Sequence, residues 1–249
     1  MPVRSILFRP VGSLLACFVG LAVGGESPNR LHDGWLIDYD ARVVVGLATA
    51  VDGADVRGLP ATAGASADQR LDAKWLAGPH LGLRVDRIGL KLGKWGWLVG
   101  VEGAYDRHLG TVDSVRSTGA GNTGPAYASG GQLQLDAASV VVHVGPVLRV
   151  DDDDDLLRVF PRLLQFELTG HLGGGGARGR IAGGPWSSWG WYGTYGAELA
   201  GHVHLGDGLT AGLAVGYSES TVDLRFANTR NGTWSASGLT ATLQIGQRF

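Results

Sequence analysis

The segment GLTATLQIGQRF, residues 238–249, decides the fold. Leu239, Ala241, Leu243, Ile245 and Phe249 fall on one face, and Thr240, Thr242, Gln244, Gly246 and Arg248 fall on the other. Gln247 alone interrupts the apolar row. A period of two is the mark of a strand with one oily and one polar face. Chain ends ordinarily fray and are polar, so an oily face here must meet something.

The same alternation recurs upstream. Leu36–Thr49 sets Ile37, Tyr39, Ala41, Val43, Val45 and Leu47 against Asp38, Asp40, Arg42 and Gly46. Pro79–Ile88 sets Leu81, Leu83 and Val85 against His80, Arg84 and Asp86. Trp97–Leu109 sets Trp97, Val99, Val101, Gly103 and Tyr105 against Glu102, Asp106 and His108. Gln132–Val150 is less regular: Leu133, Leu135 and Ala137 share a face, then Val140, Val142 and Val144 take the opposite phase. A bulge near Ala137-Ala138 would reconcile the two phases, and a very apolar strand is the alternative. Leu163–Gly174 sets Leu164, Phe166, Leu168 and Leu172 against Gln165, Glu167, Thr169 and His171. Trp191–Leu205 sets Trp191, Tyr195, Ala197, Leu199, Val203 and Leu205 against Thr194, Glu198, His202 and His204. A strand opening at Leu209 and the terminal segment bring the total to eight.

The connections alternate in length. Long polar or small-residue stretches run over Ala50–Trp75, Gly110–Gly131, Gly175–Gly190 and Ala227–Trp234, whereas the intervening links GLKLGKWG, DDDDDL and GDG are short. Asp207-Gly208 and Asn231-Gly232 are hairpin signals. An up-and-down antiparallel meander with all long connections at one end predicts a closed, all-β transmembrane barrel of eight strands.

Composition supports export and excludes several classes. The chain has 249 residues, net charge −2, 42 glycines and a single cysteine, Cys17. Near-neutrality argues against a nucleic-acid partner. Residues 1–24 have a basic start at Arg4 and Arg9, an apolar run over Val11–Val23 and a small-residue cleavage site at Ala22-Val23-Gly24, the pattern of a cleaved signal peptide. Residues 25–35 form a short N-terminal segment, and residues 36–249 the barrel. Cys17 after LLA is the alternative, a lipidation site.

A soluble ligand-binding barrel hides its apolar face and an outer-membrane barrel displays it. The polar face here is rich in Gly, Ala and Thr, and Lys74, Lys91 and Lys94 are the only lysines. That makes a poor coat for a soluble protein and a good filling for a narrow lumen. Aromatics gather near strand ends at Trp35, Tyr39, Trp75, Trp95, Trp97, Tyr105, Trp191, Tyr217 and Phe249, as at a bilayer interface.

On these features the chain resembles the small outer-membrane barrels of Gram-negative bacteria, the OmpA-transmembrane and OmpX-like class, over Leu36–Phe249. The resemblance implies a monomer with a structural or surface-interaction role and long extracellular loops. Its partners would be outer-membrane lipid, lipopolysaccharide and the barrel-assembly machinery. It also implies that Leu239, Leu243, Ile245 and Phe249 form an assembly signal, from which Gln247 departs. A narrow pore, a lipid-modifying barrel enzyme and a soluble ligand-binding barrel are the alternatives.

Inward-facing charges must pair. Asp38, Asp40, Arg42, Arg84, Asp86, Glu102, Asp106, Glu167, His171, Glu198, His202, His204 and Arg248 are therefore expected to form an interior polar network. No cofactor, metal or catalytic site is expected. His202-x-His204 with Glu198 and His171 is a weak metal pattern, Asp151–Asp155 reads as a solvated turn, and Ser139 with His143 lacks the third member of a triad.

Overall fold

The computed structural model describes residues 38–60, 68–76, 78–118, 130–150, 164–206, 208–225 and 232–248. Residues 1–24, expected to be a signal peptide, Trp35, Asp151–Asp155 and Phe249 lie outside the described residues. The strands are β1 (Asp38–Pro60), β2 (Asp68–Leu76), β3 (Gly78–Leu92), β4 (Trp95–Thr118), β5 (Gln132–Val150), β6 (Leu164–Ile181), β7 (Gly190–Gly206), β8 (Leu209–Leu224) and β9 (Gly232–Arg248). Both β2 and β3 pair antiparallel with β1 and with β4, so they are two lengths of one stave. Pairing of β1 with β9 closes an eight-stave ring. A closed ring leaves no edge, so every stave finds backbone partners on both sides.

Two-residue hairpins sit at one end. Leu92 pairs with Trp95 across Gly93-Lys94, and Gly206 pairs with Leu209 beside Gly208. Gly93 (φ 60°) and Gly208 (φ 76°) take the left-handed conformation that such turns demand. The ends of β1 and β9 at Asp40 and Arg248 pair with one another at this same end.

Pairing fixes the tilt. The path from Tyr39 runs through Arg87, Val99, Val144, Gly170, Ala197, Tyr217 and Leu239 and returns at Thr49, a shift of 49 − 39 = 10 residues. With a rise of about 3.3 Å per residue and strands about 4.8 Å apart, that shear tilts the staves by about 40°. Each step around the ring therefore climbs by about one and a quarter residues. Tyr105, Tyr195 and Tyr217 then come to one height within about one residue. Trp95 lies ten residues below Tyr105 on β4, about 25 Å along the axis.

Between those rings the wall is inverted relative to a soluble protein. Val43, Val45, Leu47, Val99, Val101, Val142, Leu168, Leu199, Leu213 and Ile245 are exposed, while Arg42, Arg84, Asp86 and Glu167 are buried. Beyond the tyrosines the polarity reverses. Leu71, Val112, Leu133, Leu135, Ala137, Ala177, Ile181, Tyr192, Val222, Leu224 and Trp234 form one buried apolar cluster in the lumen. Arg107, Asp113 and Glu219 occupy the outer face at that level.

The reversal explains the two apolar phases in Gln132–Val150. The expected bulge at Ala137-Ala138 is absent: β5 runs in unbroken register against β4 from Leu148↔Trp95 to Gln132↔Thr111. Val140, Val142 and Val144 face outward below the tyrosine ring, and Leu133, Leu135 and Ala137 face inward above it. The backbone keeps its phase and the surroundings change.

The same extension shortens the connections. Much of Ala50–Trp75, Gly110–Gly131 and Gly175–Gly190 is strand: β1 reaches Pro60, β4 reaches Thr118 and β6 reaches Ile181. These stretches are rich in small and charged residues and carry little alternation, yet neighbouring staves still satisfy their backbones.

Candidate functional site

The lumen is stacked in layers. At the hairpin end Ile88, Leu98 and Val147 make a small apolar plug. Above it lies a charged layer built on two arginines. Arg42 donates from Nε and Nη2 to Asp40 (3.1 and 3.0 Å), from Nη2 to Glu167 Oε1 (2.6 Å) and from Nη1 to Glu167 Oε2 (3.0 Å). Arg84 donates to Asp86 (2.8 Å), Glu198 (2.7 Å) and, at longer range, Glu167 (3.5 Å). Gln165 donates to Glu167 at 2.5 Å, and Gln244 lies 3.0 Å from His202 Nε2. Both arginine side chains are fully enclosed. Short inward residues make the room. A Cβ at Gly100 would lie 1.8 Å from Asp86 Oδ1, and one at Gly82 would lie 2.1 Å from Glu102 Oε1.

A polar chamber of about 70 Å³ lies between this layer and the apolar cluster. Both ring nitrogens of His80 meet carboxylates, Nδ1 at 2.6 Å from Asp106 and Nε2 at 3.0 Å from Glu102. The other oxygen of Glu102 lies 3.1 Å from His143 Nε2. The rings of His143 and His171 sit 5.6 Å apart, centroid to centroid. Ser139 Oγ, also buried on the chamber wall, meets no partner among the described residues. The chamber has space for a few waters.

The expected interior residues distribute over these layers. Asp40, Arg42, Asp86, Arg84, Glu167, Glu198 and His202 belong to the charged layer. Glu102, Asp106 and His171 line the chamber. His204 and Arg248 stand near the hairpin end, where His204 pairs with Thr210 and the Arg248 N–H donates to Gly208 O at 2.8 Å. The backbone of Asp38 pairs with Ile88, and its side chain is outside the described residues. Glu198 borders both the charged layer and the chamber, where it shares the wall with His171, but His202 lies in the charged layer and His204 at the hairpin end, so the four do not converge. Ser139 and His143 point inward from one strand four residues apart, about 13 Å. Leu239, Leu243 and Ile245 are exposed on the outer face.

A second cluster lies on the outer wall beyond the tyrosines, and the sequence reasoning missed it. Asp136 of β5 accepts from Arg107 Nε (2.8 Å), Tyr105 Oη (3.1 Å) and Arg178 Nη2 (3.2 Å). Burial opposes ionisation of Asp136, but the Arg107 hydrogen bond and charge, with help from Tyr105 and Arg178, hold the carboxyl below its usual value. The Arg178 guanidinium lies 4.6 Å from the Trp186 ring and 5.5 Å from the Trp189 ring, and Arg180 lies 5.3 Å from Trp186. Nearby, the Tyr195 hydroxyl donates to Glu219. The signal available in sequence was a cluster of Arg and Trp at the loop end of β6.

No family model matches the chain, and no curated protein matches it. Among solved structures, it is similar to the outer membrane protein OprG from Pseudomonas aeruginosa, at 14% identity and a TM-score of 0.37 over 85% of this chain and 95% of that one. It is also similar to Ail, the attachment invasion locus protein of Yersinia pestis, at 14% identity and 0.36 over 84% and 98%. The outer membrane protease OmpT from Escherichia coli matches at 7% identity and 0.36 over 88% and 99%. Likeness this distant leaves the role of the chain to its own residues.

Proposed function

We propose that this chain is an integral outer-membrane β-barrel with a structural or surface-interaction role rather than a catalytic one. One observation carries the reading: the wall is apolar outside and charged inside up to the tyrosine ring, then polar outside and apolar inside beyond it. A soluble barrel has no reason to switch at a fixed height. A barrel that leaves a bilayer there does, because lipid rewards apolar exterior groups and water rewards polar ones. No helix of the described residues is long and apolar enough to cross a membrane.

In this reading the hairpin end faces the periplasm and the extended staves project outside the cell. The protein would arrive by a cleaved signal peptide and be inserted by the barrel-assembly machinery, with the C-terminal strand as its signal. It would work as a monomer among outer-membrane lipids and lipopolysaccharide. The plug, the arginine layer and the upper apolar cluster oppose a continuous wet path, so a pore is disfavoured. For catalysis, the chamber offers histidines and carboxylates without an adjacent nucleophile–base pair among the described residues.

The test is cell fractionation with cold and boiled samples on a gel. Recovery in the outer membrane, with a cold band that migrates differently from the boiled band, supports the reading. Recovery as a soluble periplasmic protein overturns it.

A further inference from the structure

We propose that the outer collar formed by Arg107, Arg178 and Arg180 with Trp186 and Trp189 binds the phosphate of a glycolipid in the leaflet that the loop end crosses. The inference rests on the membrane reading above.

Height is the first argument. Arg107 stands two residues beyond Tyr105 on β4, and Asp136 pairs in register with both Arg107 and Arg178. The backbones at Arg107 and Arg178 therefore lie roughly 5 and 11 Å beyond the tyrosine ring, at the depth of lipid headgroups, and Arg180 stands about two residues higher. Charge is the second. Arg107 and Arg178 share one carboxylate, Asp136, and Arg180 meets no carboxylate among the described residues. The Arg107 and Arg178 side chains remain 46% and 39% exposed, so a phosphate can reach them. Preorganisation is the third. Indole faces hold Arg178 and Arg180 in place, which lowers the entropy lost when a planar guanidinium grips phosphate oxygens.

The wall just below favours a ligand with a tail. Val140 pairs with both Gly103 and Gly174, and Ala138 pairs with Gly176. A Cβ at Gly103 would meet nothing within 4 Å, and at Gly174 the nearest atom would be 3.5 Å away. The result is a shallow open strip at the level of Gly103, Val140 and Gly174, bounded above by Trp189, whose ring lies against Gly176 (3.2 Å from a Cβ built there). A free phosphate would use the collar alone, whereas a phosphorylated glycolipid fills collar and strip together.

The test uses the full mature chain folded in detergent micelles, with native mass spectrometry counting bound lipid. The probes are bisphosphorylated lipid A, its dephosphorylated counterpart, phosphatidylglycerol and inorganic phosphate. Wild type should retain the bisphosphorylated lipid. The double variant Arg178→Gln/Arg180→Gln should lose affinity at least tenfold, removal of the phosphates should cost as much, and millimolar inorganic phosphate should not compete. Asp136→Asn, which removes the competing carboxylate, should bind as well as wild type or better. Arg180→Gln alone breaks no ion pair among the described residues and serves if the double variant does not fold. Equal binding of dephosphorylated lipid or of phosphatidylglycerol overturns the proposal. So does wild-type binding by a heat-modifiable double variant, or competition by phosphate alone. Fractionation reports on the membrane reading separately: outer-membrane recovery without lipid selectivity sinks only this inference.

Discussion

Arg84 is 1% exposed and faces three carboxylates. Its replacement by alanine would strand Glu198 and leave Asp86 only its longer contact with Arg42 (3.5 Å), in a lumen where both have little access to water. Breaking a buried pair from one side costs about 3–5 kcal/mol. Arg84→Ala should therefore lower the urea midpoint of the folded barrel strongly, read as loss of the cold-migrating band. Val43→Ala on the lipid face serves as the control and should change it far less. Asp136 supplies a pH test. Its folded value is depressed, so its contribution is complete above the ordinary carboxylate value of about 3.9 and is lost as pH falls through the lower folded value. Wild type should lose stability through that acidic window by more than Asp136→Asn does, measured by urea titration at a series of pH values.

At the scale of one strand, β5 crosses both environments without changing its pairing. Val144 faces outward near mid-belt, and Gln134 faces outward beyond the tyrosine ring. A cation on the lipid face near the midplane costs about 2–4 kcal/mol and very little outside the bilayer. Val144→Arg should thus impair folding into lipid vesicles, while Gln134→Arg should fold as wild type does. On the inner face, Leu135 is 1% exposed in the upper apolar cluster. Leu135→Ala should cost about 2–5 kcal/mol, although in a lumen filled like the lower one it would cost little. These three substitutions on one element locate the boundary that the sequence shows only as a change of phase.

At the scale of the whole molecule, the layers should close the barrel to ions. Reconstituted protein in a planar bilayer is expected to give no discrete conductance steps. Stable steps in folded wild type would show that the arginine layer opens, and the role would shift to a narrow pore.

The sequence by itself determined the strands, the ring they close and the phase of each face, because a period of two is a local property of the chain. Asp40, Arg42, Arg84, Asp86 and Glu167 were legible as one polar face for the same reason. Only the tertiary structure decided where the environment changes. Shear brings Tyr105, Tyr195 and Tyr217 to one height from three different strands, and no single strand records that level. It also decided partners: Arg42 meets Glu167, 125 residues away, and Asp136 meets Arg178 across β5 and β6. Gly110–Thr118 and Gly175–Ile181 read as parts of loops because their local composition is weak, and they became wall because neighbouring strands supplied the hydrogen bonds. Alternation is written residue by residue, whereas height, layering and pairing emerge only when tilted strands close on themselves.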